Sequence, residues 1–348
     1  MSRIIALASG HPKKKFTQEE MIRLLQVTDD KRRRFFLHPH VKTRHFLFDE
    51  SRGTGEALTE ETLTEQREKF LTHAPKLSAE VLGRALQRAG LKGKDLGCLV
   101  TVSASGYFTP GLSVFLAAEM DLPEALHRID VAGMGCHAGL NALQAAHNWC
   151  ETNPGKTAAV VCAELGSCIY NTDESDNNAL VNALFGDGVA VVLLCSGPEK
   201  KGPEIIGFKS HLIPDTREYL RFDWLAERNL YGFQVHKKTP ATLGAHVKAP
   251  LSAFLSRHGL GQSDVSAWVV HGGGEAILSA IQSELGLTDE DLRHTRSVLR
   301  DYGNVASASF LFSLERLREE NTLRPGEKIV FMTMGPGLSL EFALASWA

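Results

Sequence analysis

Residues 130–146 read DVAGMGCHAGLNALQAA. A cysteine, Cys136, stands at the mouth of an apolar, alanine-rich helical run, with Gly133 and Gly135 before it and Gly139 after it. Glycine loosens a helix and packs no side chain. Three glycines around one thiol fit a place where the backbone must approach something closely. A helix N-terminus also carries positive potential, which lowers a cysteine pKa.

Outward from this stretch, short apolar runs alternate with helical ones. LGCLVTVS (residues 96–103), after the turn-like LKGKD, reads as a buried strand, and ALHRIDVA as another. Past the cysteine helix, NPGK makes a turn, TAAVVCAEL a third strand, and LFGDGVAVVLLCSGP a turn and a fourth. The order recurs. A helical stretch covers residues 239–258. SAWVVH is a strand ending on His271, and GGGEAILSAIQSEL opens a helix directly. GNVASASFLFSLERLREE is another helix, with Asn304 in its first turn, and EKIVFMTMGPGLSLEFALASW gives two strands around a Met-Gly-Pro-Gly turn. This predicts an α/β fold with strands covered on both faces. It is built as two copies of one plan, residues 1–200 and 201–348, joined near Gly197 to Gly202.

The 348 residues are 43% hydrophobic and 23% charged with net charge -3, which leaves no nucleic-acid footprint. The apolar run Ile4 to Ala8 is shorter than a secretory core, and no later run reaches membrane-spanning length, so the chain reads as cytoplasmic. Six cysteines without a CxxC pair argue against a thiolate zinc site and fit a reducing compartment.

Cys136, His271 and Asn304 each stand where a strand hands over to a helix or in a helix's first turn, and sites in layered α/β folds gather beyond such ends. A cysteine beside a histidine suits nucleophilic attack on an acyl carbon. A histidine and an asparagine N–H aimed at one point stabilise an oxyanion. Each residue also has a plain structural reading: a packing cysteine, a surface histidine, an N-cap asparagine. HGGG resembles an esterase oxyanion loop, but no GxSxG elbow accompanies it. The Cys–His–Asn order of papain-like proteases comes without their cysteine signature.

GMGCHAGLNAL, LFGDG, VVHGGG, DYGN and MGPG, in this order, resemble the type III polyketide synthases, the chalcone synthase group of the thiolase fold, over nearly the whole chain. RHTRSVLRDYGNVASASFLFSLERL and MTMGPG are most similar to the bacterial 3,5-dihydroxyphenylacetyl-CoA synthases among them. The resemblance implies a thiolase-like duplicated αβαβα layered fold. It implies Cys136 as the nucleophile that carries the starter and growing chain. His271 and Asn304 would bind the thioester carbonyl of malonyl-CoA and stabilise the enolate, and His271 would hold Cys136 as a thiolate. Phe185 matches the gatekeeper phenylalanine. Tyr107, Phe108, Thr109, Ile169 and Phe233 would line or neighbour the substrate pocket, and the loop from Tyr107 to Pro110 would reach the partner in a homodimer. Lys31 and Arg34 match basic positions that meet CoA phosphates, His38 stands at a third such position where a lysine is expected, and Gly273 and Gly274 would lie alongside the CoA. No cofactor is implied, because malonyl-CoA carries its own latent carbanion. The subfamily implies a malonyl starter and enoyl-CoA-hydratase-like helper proteins.

The departures are specific. Gly272 stands where the family has a proline, and Ala104, Gly166, Ile169 and Ala306 stand where chalcone synthases carry small hydroxylic residues. That argues against a coumaroyl pocket. His137, next to the nucleophile, has no role in this reading. Three other readings stay open: an acyl-CoA-primed alkylpyrone or alkylresorcinol synthase, a β-ketoacyl-carrier-protein synthase III, and a non-catalytic chain-length partner. The last is opposed by retention of all three site residues.

Overall fold

A nine-stranded mixed sheet runs through the chain. Its order is Val265–Val270, Lys328–Gly335, Ser339–Ser346, Glu204–Leu212, Ser2–Gly10, Asp187–Ser196, Thr157–Leu165, Leu96–Val102 and His127–Val131. It is seen in a computed structural model that describes residues 1–38, 40–47, 58–106, 108–197 and 201–347. The boundary between the two expected halves falls beside residues 198–200, outside the described residues.

Each half repeats one pairing plan. The leading strand (Ser2–Gly10, Glu204–Leu212) lies antiparallel to the closing strand (Asp187–Ser196, Ser339–Ser346). The closing strand lies antiparallel to the strand before it in sequence (Thr157–Leu165, Lys328–Gly335). That strand runs parallel to Leu96–Val102 in one half and Val265–Val270 in the other. The leading strands meet at one residue pair, Arg3 with Glu204.

Thr157–Leu165 and Asp187–Ser196 are buried along their whole length, as expected for strands with both faces covered. Helices Ala138–Thr152 and Ser309–Glu320 form the layer between the halves. Their Leu143 and Phe310 share one core with Val100 and Val160 from the first half and Val269 and Phe331 from the second. Helix Leu63–Ala89 covers the outer face of the first half through Val81, Leu82 and Ala85. Helices Thr239–Arg257 and Glu275–Leu285 cover the second through Leu251 and Leu278. The layering is therefore helix, sheet, helix, sheet, helix. A Cβ on Gly139 would lie 2.4 Å from the Ser307 carbonyl oxygen and 2.7 Å from the Phe310 ring, so this glycine permits the close crossing of the central layer.

Several expectations need correction. Ser2–Gly10, taken only for a short apolar run, is a central strand. The hairpin Leu220–Leu225 with Leu230–Val235 was not foreseen. Cys136 lies in a 3-10 turn, Gly135–His137, and the α-helix begins at Ala138. Asn304 is not in a helix's first turn, because the helix starts at Ser309. Among the described residues no helix is long and apolar enough to cross a membrane.

Candidate active site

The turn that carries Cys136 needs its glycine. Gly135 has φ +68, and a Cβ there would meet the Pro336 ring at 2.6 Å, so the Met-Gly-Pro-Gly turn of the second half closes directly over the turn of Cys136. His271 is the first residue past Val265–Val270, and its backbone N–H donates to the Met332 carbonyl at 2.9 Å. Asn304 is held by its backbone between the residues flanking Phe185. Its N–H donates to the Leu184 carbonyl (2.8 Å), and its carbonyl accepts from the Gly186 N–H (3.1 Å). Its side-chain Oδ1 accepts from the Ala306 N–H at 2.8 Å and from Ser309 Oγ at 3.3 Å. With Oδ1 engaged, the amide NH2 is the end left for the cavity.

Cys136, His271 and Asn304 line one cavity of about 410 Å³, together with Arg34, His38, Gly273 and Gly274. A second cavity of about 550 Å³ is lined by Ala104, Glu164, Gly166, Ile169, Ala306 and Arg221. Cys136, Phe185, Leu220 and Phe233 belong to both walls. The Phe185 and Phe233 rings meet edge to face, 5.4 Å apart at 84°, and so form an apolar partition beside the thiol.

Burial pushes the Cys136 thiol up to about 12, with the Glu164 carboxylate adding to the rise and the turn's own N–H opposing it. This runs against the lowered thiol expected of a helix start. Burial pushes His271 down to about 3, and the charge of His137 adds to that. Each group is thus pushed toward its neutral form, a thiol and an imidazole, because burial penalises the isolated charge.

Sequence reasoning missed Glu164. It accepts hydrogen bonds from the Ala104 N–H (2.9 Å), from Ser105 Oγ (3.1 Å) and from Ser307 Oγ. Burial still raises it to about 7. The available signal was a glutamate inside the otherwise apolar strand TAAVVCAEL.

The other predicted residues divide. Arg34, His38, Gly273, Gly274, Phe185, Phe233 and Ile169 line the cavities. Lys31 does not; it is exposed and ion-paired with Asp176. Phe108 packs against Phe70 (5.1 Å) and Phe115 in the outer core, and Thr109 is exposed. Neither is on the walls of these two cavities; the Phe108 ring packs into the outer helix layer instead. Tyr107 lies outside the described residues. The arrangement suits acyl transfer from a carrier in one cavity to a chain tethered on Cys136 in the other, with two N–H donors beside the reacting carbonyl.

Two family models match the sequence: the chalcone and stilbene synthases, N-terminal domain, over residues 2–198, and their C-terminal domain over residues 205–346. A 3,5-dihydroxyphenylacetyl-CoA synthase from Streptomyces toyocaensis is 38% identical, over 99% of this chain and 90% of the relative. One from Amycolatopsis orientalis is 37% identical, over 100% and 94%. The crystal structure of 1,3,6,8-tetrahydroxynaphthalene synthase from Streptomyces coelicolor A3(2) superposes with a TM-score of 0.91 at 28% identity, over 99% of each chain.

Proposed function

Since the chain belongs to the chalcone and stilbene synthase family, the type III polyketide synthases, we propose that it condenses malonyl units on Cys136, starts from malonyl-CoA, and forms a 3,5-dihydroxyphenylacetyl thioester. The observation that carries this reading is the position of Cys136 on the walls of both cavities, with His271 and Asn304 on the first alone. The first cavity takes the CoA-borne extender and the second takes the growing chain.

Neutral His271 and the Asn304 amide donate to the thioester carbonyl oxygen of malonyl-CoA. As the C–C bond to the carboxylate breaks, CO2 leaves and the electron pair forms an enolate held by both donors. Each such donor is worth roughly 3 kcal/mol of barrier. The enolate carbon attacks the acyl carbon on Cys136, whose sulfur leaves as thiolate. That thiolate then attacks the lengthened CoA thioester and expels the CoA sulfur. His271 moves the Cys136 proton in the first acylation, which answers the thiol's high pKa. Arg34 and His38 at the mouth of the first cavity suit CoA phosphates; Lys31 joins them only on leaving Asp176. Glu164, poised near neutrality in the second cavity, suits proton removal from a poly-β-keto chain as it cyclises. In this reading the halves are residues 1–200 and 201–348, the chain is a homodimer whose 107–110 loop meets the partner, and enoyl-CoA-hydratase-like proteins assist dehydration.

The test is incubation with malonyl-CoA alone, with Cys136→Ala in parallel, and mass spectrometry of the products. A Cys136-dependent dihydroxyphenylacetyl product, free or on CoA, is expected. Turnover only after a fatty or aromatic acyl-CoA is added would replace this reading with an acyl-primed synthase.

A further inference from the structure

The proposed cycle, on which this inference rests, expels CoA as a thiolate. Acyl-S-Cys136 and the malonyl-CoA carboxylate give a lengthened acyl-S-Cys136, CO2 and the CoA thiolate, and a proton delivered to that sulfur at each extension stops it from attacking the new Cys136 thioester. His271 is a carrier on the wall of the first cavity, yet it is 2% exposed, and the cavity it lines is the one the CoA arm fills.

A polar row runs from His271 to solvent across the second half of the sheet. Thr333 lies opposite Glu341, and Glu341 lies opposite Ser210, in antiparallel register. His271 follows Val270, which pairs with Met332, so it continues the parallel register beside Thr333. Four strands at about 4.8 Å spacing make a span of roughly 14 Å. The row faces the central helix layer, since its alternate neighbours Val269, Phe331 and Ala343 belong to the central core. Helix Ala138–Thr152 and the turn before it cover the row with His137 and Asn141, one turn apart. Ser210 is exposed and donates from Oγ to Glu341. Asn141 also hydrogen-bonds Glu341, whose carboxyl burial pushes upward.

The row is unsatisfied. His271 Nδ1, His137 Nδ1, Thr333 Oγ1 and Asn141 Oδ1 are buried without a hydrogen-bond partner, four of eight such side-chain atoms among the described residues. Each costs about 1–3 kcal/mol unless water serves it. An apolar row would be cheaper on this apolar face. Gly335 makes room for the His137 ring to reach the row: a Cβ there would lie 2.3 Å from His137 Nδ1.

We propose that Ser210, Glu341, Asn141, Thr333 and His137, bridged by water, conduct protons from solvent to His271 while CoA occupies the tunnel. The Nε2 proton passes to the departing CoA sulfur as a proton from the row arrives at Nδ1; once CoA has left, Nδ1 returns its proton to the row and Nε2 takes one from water in the emptied cavity. Thr333 and His137 act through His271 and are positioning residues.

Two measurements test it. Thr333→Val, which keeps shape and removes the hydroxyl, is expected to lower kcat for malonyl-CoA roughly tenfold, leave KM unchanged and enlarge the solvent deuterium isotope effect, with Thr333→Ser restoring most of the lost rate. A wild-type kcat and isotope effect in Thr333→Val overturns the row. A high-resolution crystal structure is expected to place ordered water between Thr333 Oγ1 and the two Nδ1 atoms. A dry contact there overturns it as well, and folding of the variant does not enter. If the wild-type chain consumes no acyl-CoA, the proposed function fails by itself and the crystallographic result still decides the row.

Discussion

Replacing Glu164 by Gln is expected to make the chain more stable as pH rises relative to the wild type. Glu164 titrates near 4.5 when unfolded and near 7 when folded, because burial penalises its charged form. The folded chain thus holds the proton more tightly. Its contribution to stability is full below about pH 4.5, falls through the window up to about 7, and is lost above it. The gap between the two values, at ~1.36 kcal/mol for each pH unit, is worth about 3–4 kcal/mol. Unfolding entropy of ~2.1 cal/mol/K per residue over 348 residues converts that to about 5 °C in Tm. Gln keeps an acceptor for the Ala104 N–H, and the Ser105 and Ser307 hydroxyls can rotate to accept from its amide. The assay is thermal melting of both proteins from about pH 4.5 to about pH 8, read as the difference in Tm; other titrating groups, Asp187 among them, cancel in that difference. The Glu164→Gln curve should rise against the wild type by roughly 5 °C across this window. Parallel curves would refute the raised carboxyl, and with it the argument that Glu164 moves protons near neutrality.

Alkylation of Cys136 by iodoacetamide in the free protein should speed up about tenfold for each pH unit from about 6 to 9, since the thiol is pushed up to about 12; a rate that levels off near neutrality would reveal a paired thiolate and refute the neutral resting state. Gly139→Ala should destabilise by roughly 1–3 kcal/mol in denaturant melts, because its Cβ would lie 2.4 Å from the Ser307 carbonyl oxygen; unchanged stability would mean the central helices do not cross there as described. Phe185→Ala removes half of the partition between the 410 and 550 Å³ cavities; the product profile from malonyl-CoA should broaden by mass spectrometry, and an unchanged single product would show that the phenylalanine does not gate.

The residues legible in the sequence are those whose identity answers a local demand. Cys136 was visible through Gly135 and Gly139, and His271 through a strand end running into three glycines. Both signals are short-range, and the fold returned them to one cavity. What stayed hidden depends on partners remote in sequence. The ion pair that takes Lys31 out of the site is with Asp176, 145 residues away. Phe108 is an aromatic in a turn, and only tertiary packing decides that it faces Phe70. Glu164 was read past because its neighbours made a strand, and the strand was right. Thr333 lies opposite Glu341 through sheet register alone, which no single segment carries. The lowered thiol was expected from an isolated helix terminus; here desolvation outweighs that terminus.

Cys136, proposed as the nucleophile, and His271 and Asn304, proposed as its donors, lie far apart along the chain, and this has a consequence during synthesis. Asn304 leaves the ribosome 168 residues after Cys136. At ~5–20 residues per second that is a delay of roughly 8–34 s. When Cys136 emerges, the first half has its thiol but not His271, which follows 135 residues later, Asn304, or the Met-Gly-Pro-Gly turn that closes over Cys136 and follows Asn304. A nascent chain therefore holds a cysteine it cannot use on acyl-CoA, and catalytic competence arrives in one event, when the second half docks.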